Sequence, residues 1–123
     1  LGPFEISFIK NIHPVEAYSV RIKCGDKIFS FTSDTSYFEN LAEFFKGSDL
    51  LICECSFYSH MDGTKAGHLN SSQAGLLAEK ANVKKLILTH LPHFGELNNL
   101  LIEAEEFYKG ETALASYLME INL

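Results

Sequence analysis

Basic residues are scarce in this chain: ten Lys and Arg stand against sixteen Asp and Glu, a formal net charge of -6. A grip on a nucleic-acid backbone needs clustered Lys and Arg, so this segment by itself is not expected to supply one. Long apolar runs are missing too, and nothing approaches the roughly 18 residues of a membrane-spanning helix. The opening Leu1-Gly2-Pro3-Phe4 has neither the basic nor the apolar region of a signal peptide. Cysteine is sparse and odd in number. Two of the three fall in Cys53-Glu54-Cys55, where strand alternation puts both thiols on one face and Glu54 on the other. They are expected to be reduced core residues of a cytoplasmic protein, with a thiolate metal pair as the alternative. Internal repeats, low-complexity stretches and interdomain linkers are absent.

What is present suits one domain. The chain has 123 residues, 46% of them hydrophobic, enough for a real core. Phe4, Ile6 and Phe8 alternate with polar residues as in a strand. Tyr18 to Lys23 and Lys27 to Ser33 flank Cys24-Gly25-Asp26, which predicts a hairpin. Ser36 followed by Glu39 resembles a capping box opening a helix through about Phe45, with Gly47 as its stop. Leu50 to Cys55 and Lys85 to His90 are short, apolar and bounded, as buried strands are. Asn70 and Gln73 can cap a helix whose Ala74, Leu77, Ala78 and Ala81 form one stripe. Leu97, Leu100, Leu101, Ala104 and Tyr108 recur at helical spacing up to Gly110. The tail from Ala113 is expected to return as one or two strands. Alternating strands and helices imply an α/β layer architecture.

Four polar residues fall where apolar strands should end: Asp34, Glu54, His68 after Gly67, and His90. In α/β sheets, ligands gather outside the carboxyl ends of strands. Two carboxylates and two imidazoles there make a candidate metal and acid/base site. Each residue also has a plainer reading. Asp34 can be a turn residue, His68 a solvated loop histidine and His90 a structural strand end. Glu54, unpaired in so apolar a strand, would cost several kcal/mol, so it needs a partner; a buried ion pair would satisfy that as well as catalysis would. His90 and His93 form a His-x-x-His pair, but Pro92 between them forces an extended backbone. His13 and His60 fit no pattern.

The succession Ser33-Asp34-Thr35, Glu54-Cys55-Ser56, Gly67-His68-Leu69-Asn70 and Leu88-Thr89-His90 resembles the C-terminal half of metallo-β-lactamase-fold hydrolases, in the branch that contains the tRNA-processing endonuclease RNase Z. There the pattern runs Ser-Gly-Asp-Thr, Glu-Ala-Thr/Ser, Gly-His-Ser/Leu-Thr and Leu-Thr-His. The stretch Ile12-His13-Pro14-Val15-Glu16-Ala17-Tyr18 is also similar to this branch, so the resemblance runs from about Phe4 to Leu123. It implies that Asp34 bridges two metal ions, that His90 ligates one of them, and that His68 acts at the scissile phosphate, oriented by Glu54. Zn²⁺ suits such a set, with Mn²⁺ as the alternative. Two departures stand out: Ser33 replaces Gly, and Asn70 replaces Thr.

A larger departure lies at the front, where the family's His-x-His-x-Asp-His cluster has no counterpart. The expected fold is therefore half of an αββα sandwich, a mixed sheet with helices packed on it. The chain is expected to be the C-terminal part of a dinuclear hydrolase of phosphodiester or related esters, inactive by itself and holding metal weakly or not at all. Its expected partner is the missing N-terminal half or another chain, with homo-oligomers burying Ile6, Phe8, Ile28 or Ile52. Nucleic acid is a substrate only for the full-length protein, and no arm for gripping tRNA is visible. The rival reading is a non-catalytic α/β assembly or binding module without a complete metal site.

Overall fold

The computed structural model describes residues 1–123. Strands β1 (Phe4–Lys10), β2 (Tyr18–Cys24) and β3 (Lys27–Phe31) form an antiparallel meander. Helix α1 (Asn40–Phe44) leads to β4 (Leu50–Glu54), α2 (Ser71–Lys80) to β5 (Lys85–Thr89), and α3 (Asn98–Glu105) to β6 (Glu111–Leu114). The six strands lie in sequence order, and the pairs from β3 to β6 are parallel. Because β1 and β3 both run antiparallel to β2, the strands β1, β3, β4, β5 and β6 all end at one edge of the sheet. That shared edge gathers the chain's chemistry.

The helices cover one face only. Leu51, Cys53 and Cys55 along β4 and its exit, with Leu86 and Leu88 of β5, pack against Leu41 and Phe45 around α1, Ala74, Leu77 and Ala78 of α2, and Leu100 and Ala104 of α3. Gly75 is needed in this layer: a Cβ there would lie 2.2 Å from the carbonyl oxygen of Ala104, so α2 and α3 touch through backbone. The capping box of α2 is present, Asn70 accepting from the Gln73 amide and Gln73 from the Asn70 amide. Asn70, standing where Thr is usual, thus keeps the cap.

By strand register, the opposite face carries Phe4, Ile6 and Phe8, then Val20 and Ile22, Phe29 and Phe31, and Ile52. Phe8 is 65% exposed and Ile6 42%. One mixed sheet with helices on one face is the architecture expected of half a sandwich. Ile28 is the exception to the expected apolar set. Its register puts it with Ser30 on the helical face.

Three local expectations are corrected. Ser36 does not cap α1; its hydroxyl and amide both donate to the carbonyl of Ile12, so a tertiary bond outcompetes the local one. The helix starts later, with Glu39 already in helical conformation and no side-chain cap. Helix α3 ends before Tyr108, whose hydroxyl donates 2.9 Å to the carbonyl of Val83. The tail returns as one strand, within the expected one or two, but β6 begins earlier than Ala113, at Glu111. After the Ala115 amide donates to Leu88, the chain turns through Ser116 to Met119.

Candidate metal and acid/base site

The site is assembled by tying the exits of neighbouring strands together. After β1, the Asn11 amide group donates to the carbonyls of Thr32 (2.8 Å) and Asp34 (3.0 Å), and the Ile12 amide reaches the Thr35 hydroxyl. The loop after β3 is thereby clamped, with Ser33 at φ 51°. This is a left-handed conformation that glycine adopts freely and serine does not. His90, directly after β5, has φ 53°, so the chain turns sharply and its ring leaves the strand line. His68 follows a 3-10 turn (Thr64–Ala66) and Gly67 at φ 82°. A Cβ on Gly67 would lie 2.6 Å from Pro14 and 2.8 Å from the His13 ring, so glycine is what lets these two loops meet.

Glu54 is the buried centre. Its carboxylate, 1% exposed, accepts four hydrogen bonds: from the Thr35 amide (3.1 Å) and His68 Nδ1 (2.9 Å) on Oε1, and from the Ser56 amide (3.2 Å) and hydroxyl (2.9 Å) on Oε2. Four acceptor positions are what an ionised carboxylate has, so Glu54 is saturated. That is the partner its burial demanded. His68, 17% exposed, stacks on His90 with ring centroids 5.2 Å apart at 15°, and His13 meets His68 edge-on at 5.3 Å.

Asp34 and His90 stand in the open part. Asp34 Oδ2 lies 4.0 Å from His90 Nε2, with side chains 37% and 52% exposed. Tetrahedral bonds of roughly 2.0–2.2 Å place two donors about 3.3–3.6 Å apart, so Asp34 and His90 would have to draw closer to share one Zn²⁺. Nitrogen and carboxylate oxygen also form a donor set that Zn²⁺ accepts. Ligating atoms of His13, Asp34 and His68 gather within 4.8 Å of one another, as do those of Glu54, His68 and His90. The second group fails as a cage because all acceptor positions of Glu54 are occupied. The first group, His13, Asp34 and His68, is thus the three-residue set that fits a cation, and His90 reaches Asp34 from the other side as a pair at 4.0 Å.

All four residues singled out in the sequence, Asp34, Glu54, His68 and His90, thus meet at one edge. His93 does not join them; exposed, it lines a cleft of about 470 Å³ with Ser56, Phe57, Leu91, Pro92 and Phe94 beside His90. Two residues were missed. His13 follows β1 at the offset by which Asp34 follows β3, a signal that strand direction would have given. Ser56 bridges Glu54 to His90, a role that only geometry reveals. No cysteine is among the ligating groups that gather at this edge. Cys53 and Cys55 face the helical core, where burial and the nearby Glu54 charge push Cys55 up to about 12 and Cys53 upward too.

Comparison with known proteins follows the same lines. A family model for the β-lactamase superfamily domain matches residues 5–91. The probable metallo-hydrolase YhfI of Bacillus subtilis (strain 168) is 49% identical over 114 residues, 93% of this chain and 47% of that protein. The crystal structure of YhfI, a metallo-β-lactamase fold protein, matches with a TM-score of 0.91 at 48% identity, covering 94% of this chain and 48% of the other. A ribonuclease Z of Treponema denticola is 37% identical over 119 residues, 93% of this chain and 38% of that protein. Human tRNase Z, short form, has the same fold, with a TM-score of 0.78 at 21% identity over 98% of this chain and 42% of its own. The chain thus spans less than half the length of each of these relatives. With the superfamily model matched across the very segment that carries Asp34, Glu54, His68 and His90, this chain belongs to the β-lactamase superfamily.

Proposed function

We propose that the chain is the C-terminal part of a dinuclear metal-dependent hydrolase that cleaves a phosphodiester or a related ester. The observation that supports this best is the meeting of Asp34, His68 and His90 at one sheet edge around a saturated Glu54. Asp34 and His90 would hold the cation, Zn²⁺ by donor type and Mn²⁺ as the alternative. Such ions, when bound, lower the pKa of a water and neutralise charge on phosphoryl oxygens.

This chain's own residues do the rest. Glu54 holds His68 through Nδ1, so His68 can hand a proton to the leaving oxygen from Nε2 once it has taken one up there as imidazolium. The cleft of Phe57, Leu91, Pro92 and Phe94 lies next to His90 and excludes water from the apolar part of a substrate. Its apolar walls suit an organic group better than a bare inorganic phosphate. RNA enters as a substrate class because one relative is a ribonuclease Z. The net charge of -6 leaves the backbone grip to other parts of the full protein. Three free thiols favour the cytoplasm as its place.

Metal analysis and turnover of a model phosphodiester test this reading on the full protein that contains the chain. Asp34→Ala is expected to lose metal and activity together. The chain alone, with Asp34 and His90 but too few further ligands, is expected to hold Zn²⁺ weakly and to show no turnover. A metal-loaded full protein that cleaves no phosphodiester or carboxylic ester would overturn the proposal. So would two tightly held ions per isolated chain after dialysis.

A further inference from the structure

We propose that Ser56 is a positioning residue through which the single carboxylate of Glu54 sets the tautomer of both histidines of the site. The inference rests on the reading of His90 as a metal ligand. Ser56 Oγ lies 2.9 Å from Glu54 Oε2, 2.5 Å from His90 Nδ1 and 3.3 Å from His68 Nδ1. A serine hydroxyl has one proton and can accept from others. The proton goes to Glu54. Aimed at His90 instead, it would leave a serine oxygen and a carboxylate oxygen facing each other at 2.9 Å with no hydrogen between them. Against a carboxylate that is itself 1% exposed, that arrangement is costly.

The direction of every other bond follows. Ser56 Oγ must accept from His90, so His90 carries its proton on Nδ1. Glu54 Oε1 must accept from His68, so His68 carries its proton on Nδ1 as well. Both Nε2 atoms are then left with free lone pairs, and that of His90 points toward Asp34 Oδ2 at 4.0 Å. Metal-binding histidines are commonly oriented by an acceptor on the other ring nitrogen. Here the acceptor for His90 is a hydroxyl that is itself anchored twice to Glu54, through its side chain and through the Ser56 amide. The parallel stacking of the two rings at 5.2 Å fits two imidazoles hung from one carboxylate.

Ser56→Ala and Ser56→Thr in the full protein test the assignment, with two readouts. The first is ¹⁵N NMR of the histidine rings in metal-free protein, at a pH where both rings are neutral. Wild type should show the Nδ1–H tautomer at His68 and His90. Ser56→Ala should release His90 to a mixture rich in Nε2–H and leave His68 unchanged, because Glu54 still holds it directly. The second is Zn²⁺ affinity by chelator competition, expected to fall roughly 10- to 100-fold in Ser56→Ala and to recover in Ser56→Thr. Nε2–H at His90 in wild type, or a Ser56→Ala protein with unaltered tautomer and affinity, would overturn the proposal. The tautomer readout needs no turnover. Correct tautomers in a protein that hydrolyses nothing would therefore sink the hydrolase reading and leave this one standing.

Discussion

His68 Nδ1 lies 2.9 Å from Glu54 Oε1, and the two differ sharply in setting: the carboxylate is 1% exposed, while the ring reaches the open edge of the site. The pair is expected to act as a unit. Glu54→Gln puts an amide NH₂ among the Thr35 amide, the Ser56 amide and the Ser56 hydroxyl, all of them donors, and should cost about 1–3 kcal/mol of stability. In the full protein at matched metal occupancy, His68→Ala should lower turnover roughly 10²- to 10⁴-fold. The double change should cost little more than either single one. Near-wild-type rates for His68→Ala would remove it from catalysis, and additive losses would uncouple it from Glu54.

Ser33 lies one residue before Asp34 at φ 51°. A non-glycine residue in this region costs about 1–2 kcal/mol. Replacing it with Gly relieves that cost but adds about 0.4–1 kcal/mol of unfolded-chain entropy. Ser33→Gly is therefore expected to stabilise the fold slightly, by about 0–1 kcal/mol, with metal affinity unchanged. Urea titration reads the stability. A clear loss of stability would mean that the serine side chain contributes something beyond its backbone.

Much of this was visible in the sequence because strand ends announce themselves. Leu50 to Cys55 and Lys85 to His90 are apolar runs closed by a polar residue, and the polar residue is what the sheet edge displays. The Asn70–Gln73 cap is equally local, so it survives intact in the structure. Ser36 failed as a cap because its competitor, the Ile12 carbonyl, lies 24 residues away in sequence. His13 and Ser56 escaped for a similar reason. Their significance arises from neighbouring strands placing distant loops side by side, which the matching offsets of His13 and Asp34 reveal only once the strand directions are known.

Asp49 gives the fold an acid-sensitive tie. One oxygen takes Lys84 Nζ at 2.6 Å and the other the Ile28 amide at 2.8 Å, which together hold its carboxyl below the usual carboxylate range. A lowered folded-state pKa contributes stability that is full above the unfolded value near 4 and is lost as pH falls through the folded one. Asp49→Asn should therefore be less stable than wild type by about 1 kcal/mol at pH 7, a modest figure because Lys84 is largely exposed. The gap should close as the pH drops below about 4. Thermal melts of both proteins across this range would refute the account if the gap persisted undiminished in acid.

The thiols divide into one accessible and two inaccessible groups. Cys53 and Cys55 are buried and pushed upward, Cys55 to about 12, whereas Cys24 is half-buried on the hairpin. Alkylation proceeds through the thiolate. At pH 8 in native buffer, iodoacetamide is expected to modify Cys24 alone, and all three after denaturation. Rapid native labelling at Cys55 would contradict the packing of β4 against α2 and α3.

The uncovered sheet face leads to the last expectation. Phe4, Ile6, Phe8, Val20, Ile22, Phe29, Phe31 and Ile52 share it, and no helix of the chain lies over them. Contiguous apolar surface beyond a few hundred Å² is uncommon on monomers and marks a contact. Within the full protein the contact is expected to be the remaining layers of the sandwich. The chain by itself should instead pair with a second copy across this face. Phe8→Lys places a charge at the most exposed of these positions and should shift the isolated chain toward monomer. Light scattering at micromolar concentration together with hydrophobic-dye binding reads the outcome. A clean, dye-negative monomer for the unaltered chain would show that this face is stable in water and needs no cover.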